Sequence, residues 1–175
     1  MMHYFHRQVQ LWGEETQMLL QHKRIAIIGS GGLGSSLAFA LGASGIGEIH
    51  MIDFDTVSLH NIHRQIAFKM GDEGKFKSDI AVELIHARCP FVKATSHVCR
   101  FEEFIQKNIE IDLIIDATDN LPSRGAINTY AKSKSLPWVY GSVEAFNGQV
   151  CFFMDASFNE LFKITQKTPA GIAAP

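Results

Sequence analysis

The chain has 175 residues, of which 46% are apolar and 19% charged, and its formal net charge is −2. This composition is typical of one globular domain, and the weak net charge excludes a general attraction for nucleic acid or an anionic membrane. The cysteines (Cys89, Cys99 and Cys151) form no C-x-x-C pair, which argues against a structural zinc site and a secreted disulfide framework. There is no signal-peptide pattern and no run approaching the ~20 apolar residues of a membrane span, so we expect a cytoplasmic protein.

Short apolar runs alternate with helical patterns along the chain. Runs such as "RIAIIG" and "IDLIIDAT" are nearly continuous in hydrophobicity, as in strands that are covered on both faces of a parallel sheet. In chain order we predict helix 14–22, strand 24–29, helix 33–44, strand 48–53, helix 77–87, strand 93–99, helix 101–107, strand 111–118, helix 122–134 and strands 136–143 and 148–154. This alternation predicts an α/β fold, a doubly wound, Rossmann-like, mostly parallel sheet with helices on both faces.

The regular pattern ends before the chain does. Residues 156–175 are less regular and finish on a stretch containing Pro169, Gly171 and Pro175 without a closing element. We therefore expect one domain over residues 1–155, with the 14–22 helix included, followed by an irregular or partly disordered segment over 156–175 in a chain that looks cut short.

A glycine-rich loop follows the first predicted strand and opens the next helix. Gly29, Gly31 and Gly34 fit the pattern G-x-G-x-x-G, in which the glycines permit a tight turn, close approach to a phosphate and close packing of helix on strand. Asp53 ends the next strand, where an acid can accept hydrogen bonds from ribose hydroxyls. NAD and ATP both contain an adenosine ribose, so the loop leaves the nucleotide open.

Polar residues downstream of the loop favour a triphosphate. Asp53 and Asp55 are followed by Asn61, Arg64 and Lys77. A dehydrogenase needs no cations beyond the helix end, whereas attack at phosphorus builds up negative charge that Arg and Lys donors stabilise. The alternative for each cation is a solvated surface charge.

The strand 111–118 runs into "DATDNLPSR", which places Asp119 and Asn120 at its carboxyl end, where ligands bind in open α/β sheets. A carboxylate there can hold Mg²⁺ together with substrate phosphates, but Asp and Asn also often cap helices. We expect one of the two to cap and the other to be free. Arg124 lies in the first helical turn, against the helix dipole, which suggests an anionic partner, either a ligand or Asp119.

With these motifs together, the chain resembles the ThiF/MoeB/HesA family, relatives of the ubiquitin-activating enzymes. The resemblance rests on ordered motifs across nearly the whole chain: "YFHRQVQLWG", "GSGGLGS", "DFDTVSLHNIHRQ", "GKFKSDIA", "DATDN" and "NGQV". It implies an ATP-binding adenylation domain that uses ATP and Mg²⁺ to adenylate the C-terminal glycine carboxylate of a ubiquitin-like sulfur-carrier protein ending in Gly-Gly. The pathway would be thiamine or molybdopterin synthesis.

The resemblance also assigns roles to individual residues. It implies catalytic roles for Arg64, Lys77 and Asp119, with Asp119 taking the metal. It implies a homodimer in which Arg7 acts in trans, in the partner's site. The nucleotide-binding positions are Gly29, Gly31, Gly32, Gly34, Asp53, Asp55, Asn61, Arg64, Lys77 and Asn120.

The chain departs from the zinc-bearing members of that family. The segment after "GQVCFFM" contains no cysteine, so we expect no zinc and no thiol-transfer step in this chain. Three other functions stay open: adenylation of a carboxylate on a modified tRNA base, which the net charge disfavours; a NAD-dependent oxidoreductase, which leaves Arg64, Lys77 and Asp119 without a purpose; and a non-catalytic nucleotide-binding module.

Overall fold

A computed structural model describes residues 3–163 and contains a six-stranded sheet in the order β3-β2-β1-β4-β5-β6. The strands are β1 Arg24–Ile28, β2 Glu48–Ile52, β3 Lys93–His97, β4 Leu113–Asp116, β5 Trp138–Glu144 and β6 Asn147–Phe153. The helices are α1 His6–Leu20, α2 Gly32–Ser44, α3 Lys77–Arg88, α4 Phe101–Ile105, α5 Leu121–Lys134 and α6 Phe158–Leu161. None of these helices is long and apolar enough to cross a membrane.

The predicted α/β fold is confirmed. Strands β1 to β5 pair in parallel, and β6 joins β5 as an antiparallel edge strand. Ile25 and Ile27 of β1 pack on one face of the sheet with α2 and α3, whereas Ala26 and Ile28 pack on the other face with α4, α5 and α6. The first strands are nearly continuous in hydrophobicity because both of their faces are covered.

The strand order places a cleft at one edge of the sheet. The chain leaves β1 toward β2 in one direction and returns to β4 on the other side of β1, so the connections diverge between β1 and β4. Ligands of open α/β folds bind where the strand order reverses, outside the carboxyl ends of the strands. We call this side the carboxyl edge of the sheet and the opposite side the amino edge.

Helix α1 begins eight residues before the predicted start at position 14, because two helical segments join at a kink. Gly13 forms the kink with φ +85°, a left-handed conformation that glycine adopts without strain. The first segment is held by tertiary contacts: Phe5, immediately before it, is fully buried and packs edge-to-face on Tyr4 and Phe91. The local sequence pattern does not predict this packing, because Phe91 is distant from Phe5 in sequence.

Helix α1 lies at the amino edge, against the last residue of α2. The side chains of Gln8 and Gln17 both donate to the Ser44 carbonyl, each at 3.0 Å. Gly47 leads into β2 beneath the end of α1, and a Cβ atom at Gly47 would lie 1.9 Å from the Gln21 carbonyl oxygen. The amino edge is therefore closely packed.

The last described residues return to the core. Helix α6 falls within the segment 156–175 that we expect to be irregular, and its Phe158 is buried against Trp138 and Tyr140. Residues 164–175 lie outside the described part of the chain, and the domain boundary at 155 stays a prediction.

Candidate functional site

A cleft of about 860 Å³ opens at the carboxyl edge of the sheet, between β1 and β4. Its walls are the glycine loop, the residues after β2, the start of α3, the turn between β4 and α5, and the end of β5. Arg64, Lys77 and Asp119 all line this cleft, although 55 residues of sequence separate the first from the last. The fold thus gathers the predicted catalytic residues of the chain, except Arg7, in one place.

The glycine loop has the geometry that its sequence predicts. Gly29 has φ +93°, and a Cβ atom there would lie 2.8 Å from the Ala117 carbonyl oxygen; at Gly34 it would lie 1.8 Å from the Gly29 carbonyl oxygen. Gly31 precedes α2 without a side-chain cap, and Gly31 and Gly32 line the cleft. The backbone N–H groups at the start of α2 are therefore available to an anion in the cleft.

Asp53 fastens the glycine loop to the end of β2. Its Oδ2 accepts a hydrogen bond from the Ser30 backbone N–H at 2.6 Å, and its Oδ1 accepts one from the Asp55 N–H at 2.8 Å. Burial raises the pKa of Asp53, and these backbone hydrogen bonds oppose the increase. The sequence pattern did not reveal this fastening role, and ribose binding by Asp53 stays a prediction.

Lys77, the first residue of α3, is held at the cleft wall. The residue is 6% exposed, and its Nζ lies 3.2 Å from Oδ2 of Asp55. The alternative of a solvated surface lysine is therefore wrong. Asp55 also accepts the Lys77 backbone N–H through its carbonyl, which keeps the ammonium group beside the cleft. A phosphate at this position would compete with the half-exposed Asp55 carboxylate for the lysine.

Arg64 is positioned by the turn that precedes it. Its Nη2 donates to Oδ1 of the buried Asn61 at 2.9 Å, and its Nη1 donates to the His60 carbonyl at 3.2 Å. Arg64 lines the cleft, whereas Asn61 lies behind it and is not part of the cleft wall. The structure therefore shows Asn61 holding Arg64, and direct contact of Asn61 with a nucleotide stays a prediction.

Asp119 and Asn120, which lie between β4 and α5, differ in role. Asn120 is the N-cap of α5, because its Oδ1 accepts the Ser123 backbone N–H at 2.9 Å. Asp119 is exposed, lines the cleft and forms no ion pair with any residue between 3 and 163. Asn120 therefore caps the helix, as we expect of one of the two, whereas Asp119 Oδ1 accepts a long hydrogen bond of 3.5 Å from Asn120 Nδ2.

Arg124 lines the cleft and has an anionic partner, as the sequence suggests, but that partner is not Asp119. Its guanidinium Nε lies 3.8 Å from Oδ2 of Asp116, the last residue of β4, rather than beside Asp119. Both residues are almost completely buried, and burial raises the pKa of Asp116 to about 6. The signal that could have revealed this acid is a carboxylate inside the otherwise apolar run "LIID".

Arg7 does not reach the cleft of its own chain. It is exposed on α1, next to the Gln8 that binds the Ser44 carbonyl at the far end of α2. Helix α2 has 13 residues. At 1.5 Å per residue it separates Arg7 from the glycine loop by about 20 Å, farther than an arginine side chain extends. A role for Arg7 in catalysis thus requires a second copy of the chain.

These groups fit a magnesium-bound nucleotide better than a metal held by protein alone. No group of three or more His, Cys, Asp or Glu side chains within residues 3–163 could hold a metal ion. Mg²⁺ commonly takes one or two carboxylates and completes its shell with phosphates and water. The exposed Asp119 carboxylate could serve as such a carboxylate, and the uncapped start of α2 could hold the phosphates.

The sequence profile of the ThiF family matches residues 5–171. The sulfur carrier protein adenylyltransferase of Thermus thermophilus is 33% identical over 153 residues, which cover 85% of this chain and 56% of that protein. The probable adenylyltransferase/sulfurtransferase MoeZ of Mycobacterium tuberculosis is 34% identical over 145 residues, covering 82% of this chain and 37% of MoeZ.

Solved structures show the same fold. The E. coli tRNA N6-threonylcarbamoyladenosine dehydratase TcdA, solved in complex with ATP, superimposes with a TM-score of 0.74 at 28% identity, covering 82% of this chain and 62% of TcdA. The chain thus spans little more than half of the Thermus protein and a smaller part of MoeZ.

Proposed function

The chain belongs to the ThiF family, and we propose that it binds ATP with Mg²⁺ in the cleft. In this proposal it adenylates the C-terminal carboxylate of a ubiquitin-like sulfur-carrier protein ending in Gly-Gly. The named relatives are adenylyltransferases, which supports this class of reaction. The name of the Thermus protein also supports a sulfur-carrier partner. Thiamine or molybdopterin synthesis is the proposed setting.

The observation that carries the proposal is the convergence of Arg64, Lys77 and Asp119 in front of the uncapped start of α2. Arg64 offers a planar guanidinium that can bind phosphate oxygens in pairs, and Lys77 offers a compact charge. A nicotinamide enzyme has no use for this arrangement, so the site favours ATP over NAD.

In the proposed reaction, a carboxylate oxygen of the carrier attacks the α-phosphorus of ATP. A bond forms between that oxygen and the α-phosphorus, the bond to the bridging oxygen of the β-phosphate breaks, and pyrophosphate leaves with its electron pair. Arg64, Lys77 and the N–H groups of α2 hold the phosphates and stabilise the charge that builds up on them. Asp119 would hold Mg²⁺, which supplies further charge neutralisation when bound. No covalent enzyme intermediate is required.

The remaining predicted positions have supporting roles in this proposal. Asp53 binds the ribose while its hydrogen bonds to Ser30 and Asp55 keep the glycine loop in place. Asn61 keeps Arg64 directed toward the phosphates, and Asp55 releases Lys77 to the nucleotide. Positioning and charge neutralisation therefore provide most of the catalysis.

The function is tested by ATP–pyrophosphate exchange with and without a ubiquitin-like carrier ending in Gly-Gly. We expect carrier-dependent exchange. Lys77→Ala and Arg64→Ala should each lower it by about 10²–10³-fold while the fold survives, because each removes a preorganised donor to the phosphates. Lys132→Ala, at an exposed position on α5, is the matched control and should keep wild-type exchange.

Normal exchange in both variants would overturn the assignment of the site. Exchange that requires RNA in place of the carrier would support adenylation of a tRNA base, which the likeness to TcdA favours. Binding of NADH without a response to ATP would support an oxidoreductase. ATP binding with neither carrier- nor RNA-dependent exchange would indicate a binding module.

The proposal includes a homodimer, because Arg7 lies at the wrong end of α2 for its own cleft. If Arg7 acts in trans, Arg7→Ala and Lys77→Ala are each inactive. A mixed dimer of the two variants contains one complete site, so mixing should restore about a quarter of wild-type exchange by random pairing. No recovery, with mixed dimers detected by mass, would show that Arg7 does not act in the partner's site.

A further inference from the structure

Asp116 and Arg124 are two oppositely charged, buried side chains at the back of the cleft, where Arg124 forms part of the lining. Asp116 is 1% exposed and Arg124 2% exposed. Asp116 Oδ2 and Arg124 Nε lie 3.8 Å apart, and neither atom has a hydrogen-bond partner within residues 3–163. A buried ion pair of this kind adds little stability, because the desolvation of both charges offsets their attraction. The main effect of the ion pair is therefore to hold neighbouring groups in place.

The pair holds Thr118 from both sides. Oδ1 of Asp116 accepts the Thr118 backbone N–H at 2.9 Å and the Thr118 hydroxyl at 2.7 Å. Nη2 of Arg124 donates to the Thr118 carbonyl at 2.8 Å. Thr118 immediately precedes Asp119, so these three hydrogen bonds fix the backbone from which the Asp119 carboxylate extends.

The same turn contacts the other walls of the cleft. The Ala117 N–H donates to the Ile28 carbonyl at 2.9 Å, and the Ala117 carbonyl lies against Gly29 without room for a Cβ atom. The Arg124 guanidinium stacks over the Tyr140 ring of β5 at 4.9 Å. The turn is thus packed against the glycine loop and β5, which form the neighbouring walls of the cleft.

We propose that Arg124 is a positioning residue, with Asp116 as its counter-charge, that clamps the β4–α5 turn so that Asp119 faces the phosphate end of the cleft. This inference rests on the proposed magnesium-ATP site and adds to it a control over the metal-holding side chain. Arg124 acts through Thr118 and need not touch the nucleotide. Residues behind a metal ligand typically change metal affinity by about 10–100-fold when they are replaced.

The test compares Arg124→Gln with Lys132→Gln, an exposed control on the same helix. ATP affinity is measured by calorimetry with Mg²⁺ and with a chelator. Arg124→Gln should lose about tenfold of the magnesium-dependent gain in affinity and change the affinity in chelator by less than about threefold, since only the metal-holding turn is released. Hydrogen exchange of peptides covering 113–121 in the ligand-free chain should accelerate in Arg124→Gln alone.

A double variant separates positioning from stability. Arg124→Gln leaves Asp116 as an unpaired buried charge, which is strongly destabilising, whereas Asp116→Asn with Arg124→Gln removes both charges. We expect the double variant to regain thermal stability and still lack the magnesium-dependent gain. Recovery of that gain together with stability would show a merely structural role and overturn the inference.

The outcomes also separate this inference from the proposed function. If wild-type protein shows no magnesium-dependent gain in ATP affinity, the proposed nucleotide site fails. The hydrogen-exchange comparison needs no ligand, so unchanged exchange over 113–121 in Arg124→Gln overturns the clamp by itself. Magnesium-dependent binding that Arg124→Gln retains overturns the clamp and leaves the proposed function standing.

Discussion

At the amino edge of the sheet the buried Gln17 side chain is hydrogen-bonded through both of its polar atoms, whereas several buried polar atoms at the carboxyl edge have no partner. At the amino edge, Gln17 is fully buried and donates to the Ser44 carbonyl, and its Oε1 accepts from Gln8 and Trp12. At the carboxyl edge, four buried atoms lack a hydrogen-bond partner in the part of the chain that the structure describes. They belong to Ser30, Gln65, Asp116 and Arg124, and two further atoms without a partner, His50 Nε2 and Ser96 Oγ, lie on β2 and β3.

This contrast indicates that the amino edge contributes mainly to stability and the carboxyl edge mainly to ligand binding. Buried polar groups are nearly always paired, since an unpaired one costs about 1–3 kcal/mol. Their concentration around the cleft is typical of a site that gives up some stability for ligand contacts. The amino edge, with its aromatic cluster of Tyr4, Phe5 and Phe91, provides packing instead.

Two glycine substitutions, one at each edge of the sheet, test whether the edges differ in role. A Cβ atom would lie 1.8 Å from a backbone oxygen at Gly34 and 1.9 Å from one at Gly47. Both Gly34→Ala and Gly47→Ala should lower the free energy of unfolding by about 3 kcal/mol, because backbone must move to relieve the clash. Only Gly34→Ala should also remove ATP binding, since Gly34 sets the start of α2 against the glycine turn.

Urea unfolding and ATP titration of the folded fraction measure the two effects. Gly125→Ala is the control, because a Cβ atom at Gly125 meets nothing within 4 Å and alanine favours helix by about 1 kcal/mol. If Gly47→Ala weakened ATP binding as much as Gly34→Ala, the division of roles between the two edges would be wrong.

The sequence predicted the fold because the apolar runs that mark its strands are local features of the sequence. The strand runs are apolar throughout since both faces of the sheet are covered, and each predicted strand overlaps an observed one. The start of α1 was mispredicted because Gly13 interrupts the periodicity and because the preceding segment depends on Phe5 packing against Phe91, which is distant in sequence.

The sequence predicted only part of the candidate site. Loop, acid and cation spacing predicted which residues would meet, and Arg64, Lys77 and Asp119 do line one cleft. The partners of these residues were not predictable, because they are set by tertiary structure. Lys77 pairs with Asp55 and Arg124 with Asp116 only after β2, β4 and two helices have been brought together.

Two buried histidines make the stability of the fold depend on pH. His97 and His50 lie on β3 and β2, with His97 Nε2 3.0 Å from His50 Nδ1. The Lys107 ammonium lies 3.1 Å from His97 Nδ1, so His97 carries its proton on Nε2 and donates it to His50. Glu48 lies 3.2 Å from the other side of His50. Burial, with Lys107 and His50 nearby, lowers the pKa of His97 to about 4, and burial lowers that of His50.

Acidification affects stability in opposite directions through His97 and through Asp116. The unfolded chain binds a proton at His97 near pH 6.5 and the folded chain only near pH 4, so stability falls on acidification through that window, by about 2 kcal/mol from pH 7 to 5. Asp116 has its pKa raised to about 6, so the folded state takes up a proton first. Its contribution to stability therefore rises by about 1 kcal/mol over the same interval.

Urea unfolding at pH 7 and pH 5 measures these slopes. His97→Gln should lose most of the acid destabilisation, whereas Asp116→Asn should be destabilised by acid more steeply than wild type, because the opposing contribution is gone. His6→Gln, at an exposed histidine, should keep the wild-type slope. The two buried variants must diverge in opposite directions from wild type. Parallel slopes would mean that the histidine pair and the Asp116 carboxyl do not titrate as buried groups.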